Sequence, residues 1–336
     1  MTRGITENSS YNATMKPTVD GLRDYASLQD IPIEERHARY AAIALQYYNL
    51  ATDFYEFGWG QSFHFAPRVK GETLRASILR YEHRVAEALG CRAGDSLLDL
   101  GCGVGGPMRT MARDFSAQVT GININEYQID RGRTHNRKQG LEPLCRFVLA
   151  DFTSLPLADN SYDGAYEFQA TCHASDRRAV YSEIYRVLKP GASFVGDEWC
   201  LTPAYDADNP EHRRIKRDIE VGNGLPDIES IQGVLDALSG AGFEIVLHVD
   251  LASSGSPETP WHLPLSKRWS MAQLQCTRTG RVITTGVLKL MESIRVAPAG
   301  TAAVNELLCL SADALVQGGR TGIFTPLYFL HARKPL

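Results

Sequence analysis

Leu97-Leu98-Asp99-Leu100-Gly101-Cys102-Gly103-Val104-Gly105-Gly106 is the stretch on which the reading of this chain turns. A short apolar run, 96–100, reads as a strand. The glycines after it let the backbone turn sharply into a helix over 106–114 and let a ligand lie against bare main chain. The same alternation repeats on either side. Further strands are read at 118–124, 146–150, 164–170 and 193–199, with helices at 126–139, stopped by Gly140, and 177–188, closed by Lys189-Pro190-Gly191. Strands alternating with helices predict a parallel sheet covered on both faces. Downstream come a helix at 230–239, a strand at 243–250, a Ser/Pro/Gly-rich loop at 253–260, helices near 280–296 and 302–317, and a last apolar strand at 323–332. Segment 253–320 is then an insertion between two strands of one sheet. Upstream, residues 1–40 read as flexible and then helical, 41–57 are densely apolar and aromatic, and 72–90 is an amphipathic helix ended by Gly90.

A glycine-rich turn of this kind also serves dinucleotides. Two features favour S-adenosylmethionine (SAM) instead. Asp99 lies inside the strand just before the glycines, where it can hold the loop and face a cationic amino-acid group. The second strand ends in Asn123, whereas the dinucleotide fingerprint wants an acidic residue there for the ribose. The third strand ends in Asp151-Phe152, a carboxylate for the adenine amino group and a ring to cover the base. The fourth is followed by Gln169-Ala170-Thr171-Cys172-His173. These strand ends converge at the carboxyl edge of the sheet, the expected ligand crevice. Plain loop capping by Asp99 and Asp151 is the competing reading.

The 336 residues carry a formal net charge of -4 and no long basic run, which argues against nucleic acid as a partner. Seven cysteines without a Cys-x-x-Cys pair fit a reduced, cytosol-facing protein better than a disulfide framework, and no metal-ligand spacing stands out. Residues 1–16 lack the apolar centre of a signal peptide, and no run reaches the ~20 apolar residues of a membrane span. A lipid substrate would therefore be met by docking on a surface.

Segments 97–107, 150–152 and 187–191 resemble the class I SAM-dependent methyltransferases. Longer stretches, 47–65, 99–107, 170–174, 181–191, 198–199, 209–213 and 319–335, resemble the sterol 24-C-methyltransferases, so that the likeness covers about 40–335. The resemblance implies an α/β, Rossmann-like, seven-stranded and mostly parallel sheet, with an N-terminal helical lid and a C-terminal insertion forming the substrate cavity. It divides the chain into an arm and aromatic lid segment (1–70), a SAM-binding core (71–205) and a sterol-methyltransferase C-terminal region (206–336). It implies that Gly101, Cys102, Gly103, Asn123, Ile124, Gln128, Asp151 and Phe152 line the SAM site. By similarity to cyclopropane synthases, Tyr48 and the Ser62-Phe63-His64 turn would fold over the cofactor. The chain departs from the family at Gln169, where glutamate is usual, and at Asn223, where aspartate is usual. The family also implies a sterol or triterpenoid lipid as partner, homo-oligomers, and peripheral contact with endoplasmic reticulum or lipid droplets. Squalene or another triterpenoid is the alternative alkene. A SAM-binding scaffold without catalysis would have lost aromatics or glycines that are present here, and a nicotinamide oxidoreductase is disfavoured by Asn123 and Asp151-Phe152.

In that family the alkene at carbon-24 takes the methyl, a hydride moves, and a proton leaves to restore a double bond, with S-adenosylhomocysteine as coproduct. An alkene is a weak nucleophile and its methylation leaves a tertiary cation. The site must align methyl and alkene, exclude water and place one base. Aromatic faces stabilise a cation without quenching it, at about 0.5–2 kcal/mol each. Tyr55, Phe57, Trp59, Phe63 and Phe65 supply five rings within eleven residues, and Gly58 and Gly60 flank Trp59 as if in a positioning loop. Ordinary core packing is the plainer reading. His64, Glu82, His173 and Glu198 are the candidate bases, unranked. Trp261, Leu263, Leu265, Trp269 and Met271 are apolar for a loop region and suit a lipid cover, a lipid surface or simple packing.

Overall fold

Leu97, Leu98 and Leu100 are all but completely buried, because β1 (Ser96–Leu100) has a parallel neighbour on each side and helices on both faces. In the computed structural model, which describes residues 18–266 and 278–336, β1 lies inside a seven-stranded sheet of order β3-β2-β1-β4-β5-β7-β6. Its other members are β2 (Gln118–Asn123), β3 (Cys145–Leu149), β4 (Tyr162–Glu167), β5 (Leu188–Leu201), β6 (Glu244–Asp250) and β7 (Phe324–Arg333). Strands β3 to β5 run parallel; β7 is antiparallel to both β5 and β6. Because β6 and β7 pair, the long segment between them is an insertion within one sheet, as the sequence predicts.

Local signals set the helices on the sheet. α4 (Leu74–Leu89) starts where the Thr73 side chain accepts from Ala76 N at 3.1 Å and stops at left-handed Gly90. α5 (Gly106–Phe115) follows the glycine loop, and α6 (Glu126–Gln139) is capped by Asn125 and ended by Gly140. α4 and α5 pack one face of the sheet; α7 (Arg177–Val187) and α9 (Ile231–Gly240) pack the other. Helix α8 (Pro210–Asn223) is absent from the sequence reading, although its signal is local: Asn209 accepts from Glu211 N at 2.9 Å and Pro210 occupies the first turn.

The lid is built from both ends of the chain. α1 (Val19–Gln29), α2 (Ile33–Ala38) and α3 (Tyr40–Gly58) cover the carboxyl edge, and Tyr25, Ile43, Tyr47 and Leu50 share a core with Val304 of the last helix, Thr301–Thr321. That helix, α12, also packs along α8. Before it come α10 (Leu263–Ser266) and α11 (Arg278–Ser293). β5 begins and ends beyond its expected limits of 193–199.

Candidate active site

At the end of β1 the backbone turns through Gly101 (φ 67°) and Gly103 (φ 54°), a region that disfavours any side chain. A Cβ on Gly101 would stand 2.3 Å from that of Ala170, so the bare backbone of Gly101 packs directly on the Ala170 methyl in the turn after β4. Asn123 braces the loop from the neighbouring strand. Its Nδ2 donates to Gly103 O at 3.1 Å and to Gln128 Oε1 at 2.8 Å, and its Oδ1 accepts from Asn125 N at 3.0 Å. Asp99 accepts from the Tyr166 hydroxyl at 3.1 Å, and burial pushes its carboxyl well above the usual range. Asp151 accepts from Thr153 N and Oγ1 at 2.9 and 2.8 Å and from the Tyr40 hydroxyl at 2.5 Å.

These groups line a cavity of about 870 Å³. Tyr48, Phe63, Asp99, Gly101, Cys102, Gly103, Asn123, Ile124, Gln128, Asp151, Phe152 and Gln169 all lie on its wall. Backbone freedom at one corner, carboxyl groups at two others and an apolar ring suit a molecule with an amino-acid end and an adenine, as SAM has. Tyr40 and Gln61 also line it and were missed. Gln61 reaches it from the lid, where its Oε1 accepts from Arg109 Nη2 at 2.9 Å.

A second cavity, about 700 Å³, adjoins the first. Its wall carries Tyr55, Trp59, Phe65 and Trp199, with Leu308, Ser311, Ala312 and Leu315 from one face of α12. Among the described residues, no aspartate or glutamate lines it. Tyr48, Phe63, His64, Gln169 and His173 line both cavities and therefore form the partition between them. The face of α12 has helical spacing that could be read from sequence, but nothing local says what that face meets.

Several candidates fall elsewhere. Phe57 is 86% exposed and leaves the aromatic set, because it stands on the outer face of α3. Trp59 follows the end of α3 directly, and the break comes after it at Gly60 (φ 115°). Glu198 lines neither cavity. Side chains alternate along β5: Trp199 faces the second cavity, so Glu198 faces α7, where it accepts from Tyr181 OH at 2.6 Å and from Thr171 Oγ1 and lies 3.8 Å from Arg177. Glu82 sits behind the wall, accepting from Ser62 Oγ at 2.6 Å and Thr110 Oγ1 at 2.5 Å, with His64 Nε2 at 3.3 Å. Trp261 is buried outside both cavities with its ring edge-on to Phe65 at 5.0 Å. Leu265 lines the second cavity and Leu263 is half-buried, whereas Trp269 and Met271 lie outside the described residues.

The methyltransferase-domain family model matches residues 98–196, and the sterol methyltransferase C-terminal family model matches 271–336. A cycloartenol-C-24-methyltransferase of Arabidopsis thaliana is 52% identical over 303 residues, 90% of this chain and 90% of that protein. The sterol 24-C-methyltransferase of Saccharomyces cerevisiae is 41% identical over 337 residues, 97% of this chain and 88% of that one. This chain belongs to the sterol methyltransferase family. Among solved structures, a cyclopropane synthase from Mycobacterium tuberculosis superposes with a TM-score of 0.69 at 16% identity, over 88% of this chain and 98% of that one. At such identity the likeness is one of fold, the class I methyltransferase fold.

In this sterol methyltransferase the two departures have structural partners of their own. Gln169, at φ 58°, accepts through Oε1 from Phe65 N at 3.0 Å and Trp199 Nε1 at 3.3 Å, and donates through Nε2 to Phe65 O at 3.4 Å. A carboxylate would set two acceptors face to face there; the amide pins the lid to the sheet through donor and acceptor alike. Asn223 donates to Ile219 O at 2.8 Å and accepts from Ser311 Oγ at 2.9 Å, tying α8 to α12.

Proposed function

We propose that this enzyme transfers the methyl group of SAM to the side-chain alkene, carbon-24, of a sterol through a carbocation on the substrate. The observation that carries the reading is the pairing of a polar cavity over the glycine loop with an aromatic cavity that no carboxylate lines among the described residues, the two divided by a wall of shared side chains. SAM, when bound, supplies an electrophilic methyl. The glycine loop, Asn123, Asp151 and Phe152 hold it on one side. Tyr55, Trp59, Phe65 and Trp199 surround the alkene on the other. Burial keeps the Cys172 thiol pushed well up and the Tyr55 hydroxyl pushed up to about 12, so neither presents an anion that the methyl or the cation could alkylate. Incubation with methyl-labelled SAM and a panel of Δ24 sterols and squalene, read by mass spectrometry, tests this. Label is expected in the sterol; label in squalene alone would overturn the sterol assignment.

Trp59 gives a sharper test of cation stabilisation. Its indole N–H donates to His64 O at 3.1 Å, which holds the ring on the cavity wall. Loss of one cation–π contact, about 1–2 kcal/mol, slows turnover roughly tenfold. Trp59→Leu is expected to show that loss with SAM affinity little changed, and Trp59→Phe to retain more activity. Destabilisation of both variants with full activity per folded molecule would make Trp59 a packing residue.

No helix among the described residues is long and apolar enough to cross a membrane. We propose that the lipid arrives through α11 lying on a bilayer or lipid-droplet surface. Ile283, Val287 and Leu290 of α11, with Ile294 just beyond it, are 50–61% exposed at a spacing that puts them on one face. α11 packs against α12, which lines the second cavity. Val287→Asp with Leu290→Asp is expected to abolish co-flotation with phosphatidylcholine vesicles while detergent-dispersed sterol is still methylated. Unchanged flotation, or sedimentation showing the stripe buried between two copies, would overturn this.

A further inference from the structure

The last step of such a reaction needs a base, and the described residues offer five titratable side chains on the wall of the second cavity: Tyr48, Tyr55, His64, Cys172 and His173. Four are committed. The Tyr55 hydroxyl is engaged with that of Tyr47 at 2.5 Å. Cys172 Sγ donates to Gln169 O at 3.2 Å. His64 faces an acceptor with each ring nitrogen, Phe65 O at 2.8 Å and Glu82 Oε1 at 3.3 Å, and stacks on Phe168, so it has no lone pair turned toward the cavity. The Tyr48 hydroxyl touches His173.

His173 differs. Its Nδ1 lies 3.0 Å from Gly224 O, a group that can only accept, so the ring carries its proton on Nδ1. Nε2 is then a bare acceptor, 3.0 Å from the Tyr48 hydroxyl. Both residues belong to the partition, where the methyl must cross. The turn that carries His173, Thr171–His173, is held firmly from below. Glu167 Oε2 accepts from Ala170 N at 2.7 Å and Thr171 N at 3.4 Å, and Glu198 accepts from the Thr171 hydroxyl.

We infer that Tyr48 and His173 act as one base that takes the proton from the methylated substrate cation. The inference rests on the proposed methylation of an alkene. The substrate C–H bond breaks and its electron pair becomes the new double bond. The proton goes to the Tyr48 oxygen as the proton of Tyr48 passes to His173 Nε2, so the positive charge leaves the substrate and ends on the imidazole. Burial holds the His173 imidazole down at about 4, so it is neutral at pH 7, competent toward a carbocation, and quick to release the proton afterwards. With the hydroxyl between Nε2 and the cation, the imidazole is also shielded from alkylation.

The test uses His173→Gln and Tyr48→Phe in the full chain, with SAM affinity by calorimetry and products from labelled SAM by mass spectrometry. Glutamine at 173 can still donate to Gly224 O and accept from Tyr48, so it preserves the architecture and removes the basicity. The expected result is SAM affinity within about threefold, and alkene product down by at least about a hundredfold, within the range of general-base catalysis. Residual label is expected to shift to methylated alcohols, as water captures the unquenched cation. Wild-type rate and product pattern in His173→Gln would overturn the inference, as would a rate loss matched by an equal loss of SAM affinity. If the wild-type protein labels no sterol, the proposed substrate fails on its own, and the same variants tested on whichever alkene is labelled still decide the base.

Discussion

Gly103→Val is expected to lose at least about a hundredfold in SAM affinity, about 2.8 kcal/mol, in a protein that still folds. Two effects act together. Gly103 sits at φ 54°, which a β-branched residue adopts only with strain of about 1–3 kcal/mol. A Cβ there would lie 3.6 Å from the Phe63 ring, an ordinary contact, but the two methyls of valine reach further and displace that ring, which is part of the partition between the cavities. Gly103→Ala should therefore fall between wild type and Gly103→Val. Circular dichroism reports the fold and calorimetry the affinity. A folded Gly103→Val that binds SAM as the wild type does would remove this loop from the cofactor site.

Glu82→Leu carries the largest expected cost in stability. Glu82 is buried on α4, accepts from Ser62 and Thr110 and lies 3.3 Å from His64 Nε2, so leucine would strand polar partners that are buried or half-buried. Losses of this kind run to about 3 kcal/mol, which lowers the Tm by roughly 4 °C in a chain of this size. Turnover per folded molecule should also fall, because Ser62 and His64 fix the lid turn that carries Phe63. The pH dependence follows. Burial pushes the Glu82 carboxyl up, but His64, Ser62 and Thr110 outweigh it and hold the group below its usual range. Its contribution is thus present above the usual carboxylate range and is lost as the pH falls through its own lower value. Thermal unfolding of both proteins from neutral to acid pH checks this: the gap should be wide at neutrality and narrow in acid. A pH-independent gap would mean that Glu82 acts through packing alone.

Part of this structure follows from local rules alone. The strand at 96–100, its glycine turn and the helix after it form from neighbours in sequence. So do the caps at Thr73 and Asn125 and the stops at Gly90 and Gly140. Because parallel strands deliver their carboxyl ends to one edge, Asp99, Asn123, Asp151 and Gln169 were bound to meet there. Whether a side chain faces that edge is another matter. Glu198 and Trp199 are adjacent, and the phase of β5 sends one to α7 and the other to the cavity. Phe57 and Tyr55 are two residues apart on α3, and the seating of that helix on α12 exposes one and turns the other, half-buried, to the cavity. Choosing among the four candidate bases depended on contacts no spacing encodes. Tyr48 and His173 are 125 residues apart, and they meet because α3 is packed across the sheet edge by a core shared with α1 and α12. Periodicity and turn chemistry act over a few residues and so are written in the sequence; which nitrogen keeps a free lone pair is set by groups that only the packed chain brings within 3 Å.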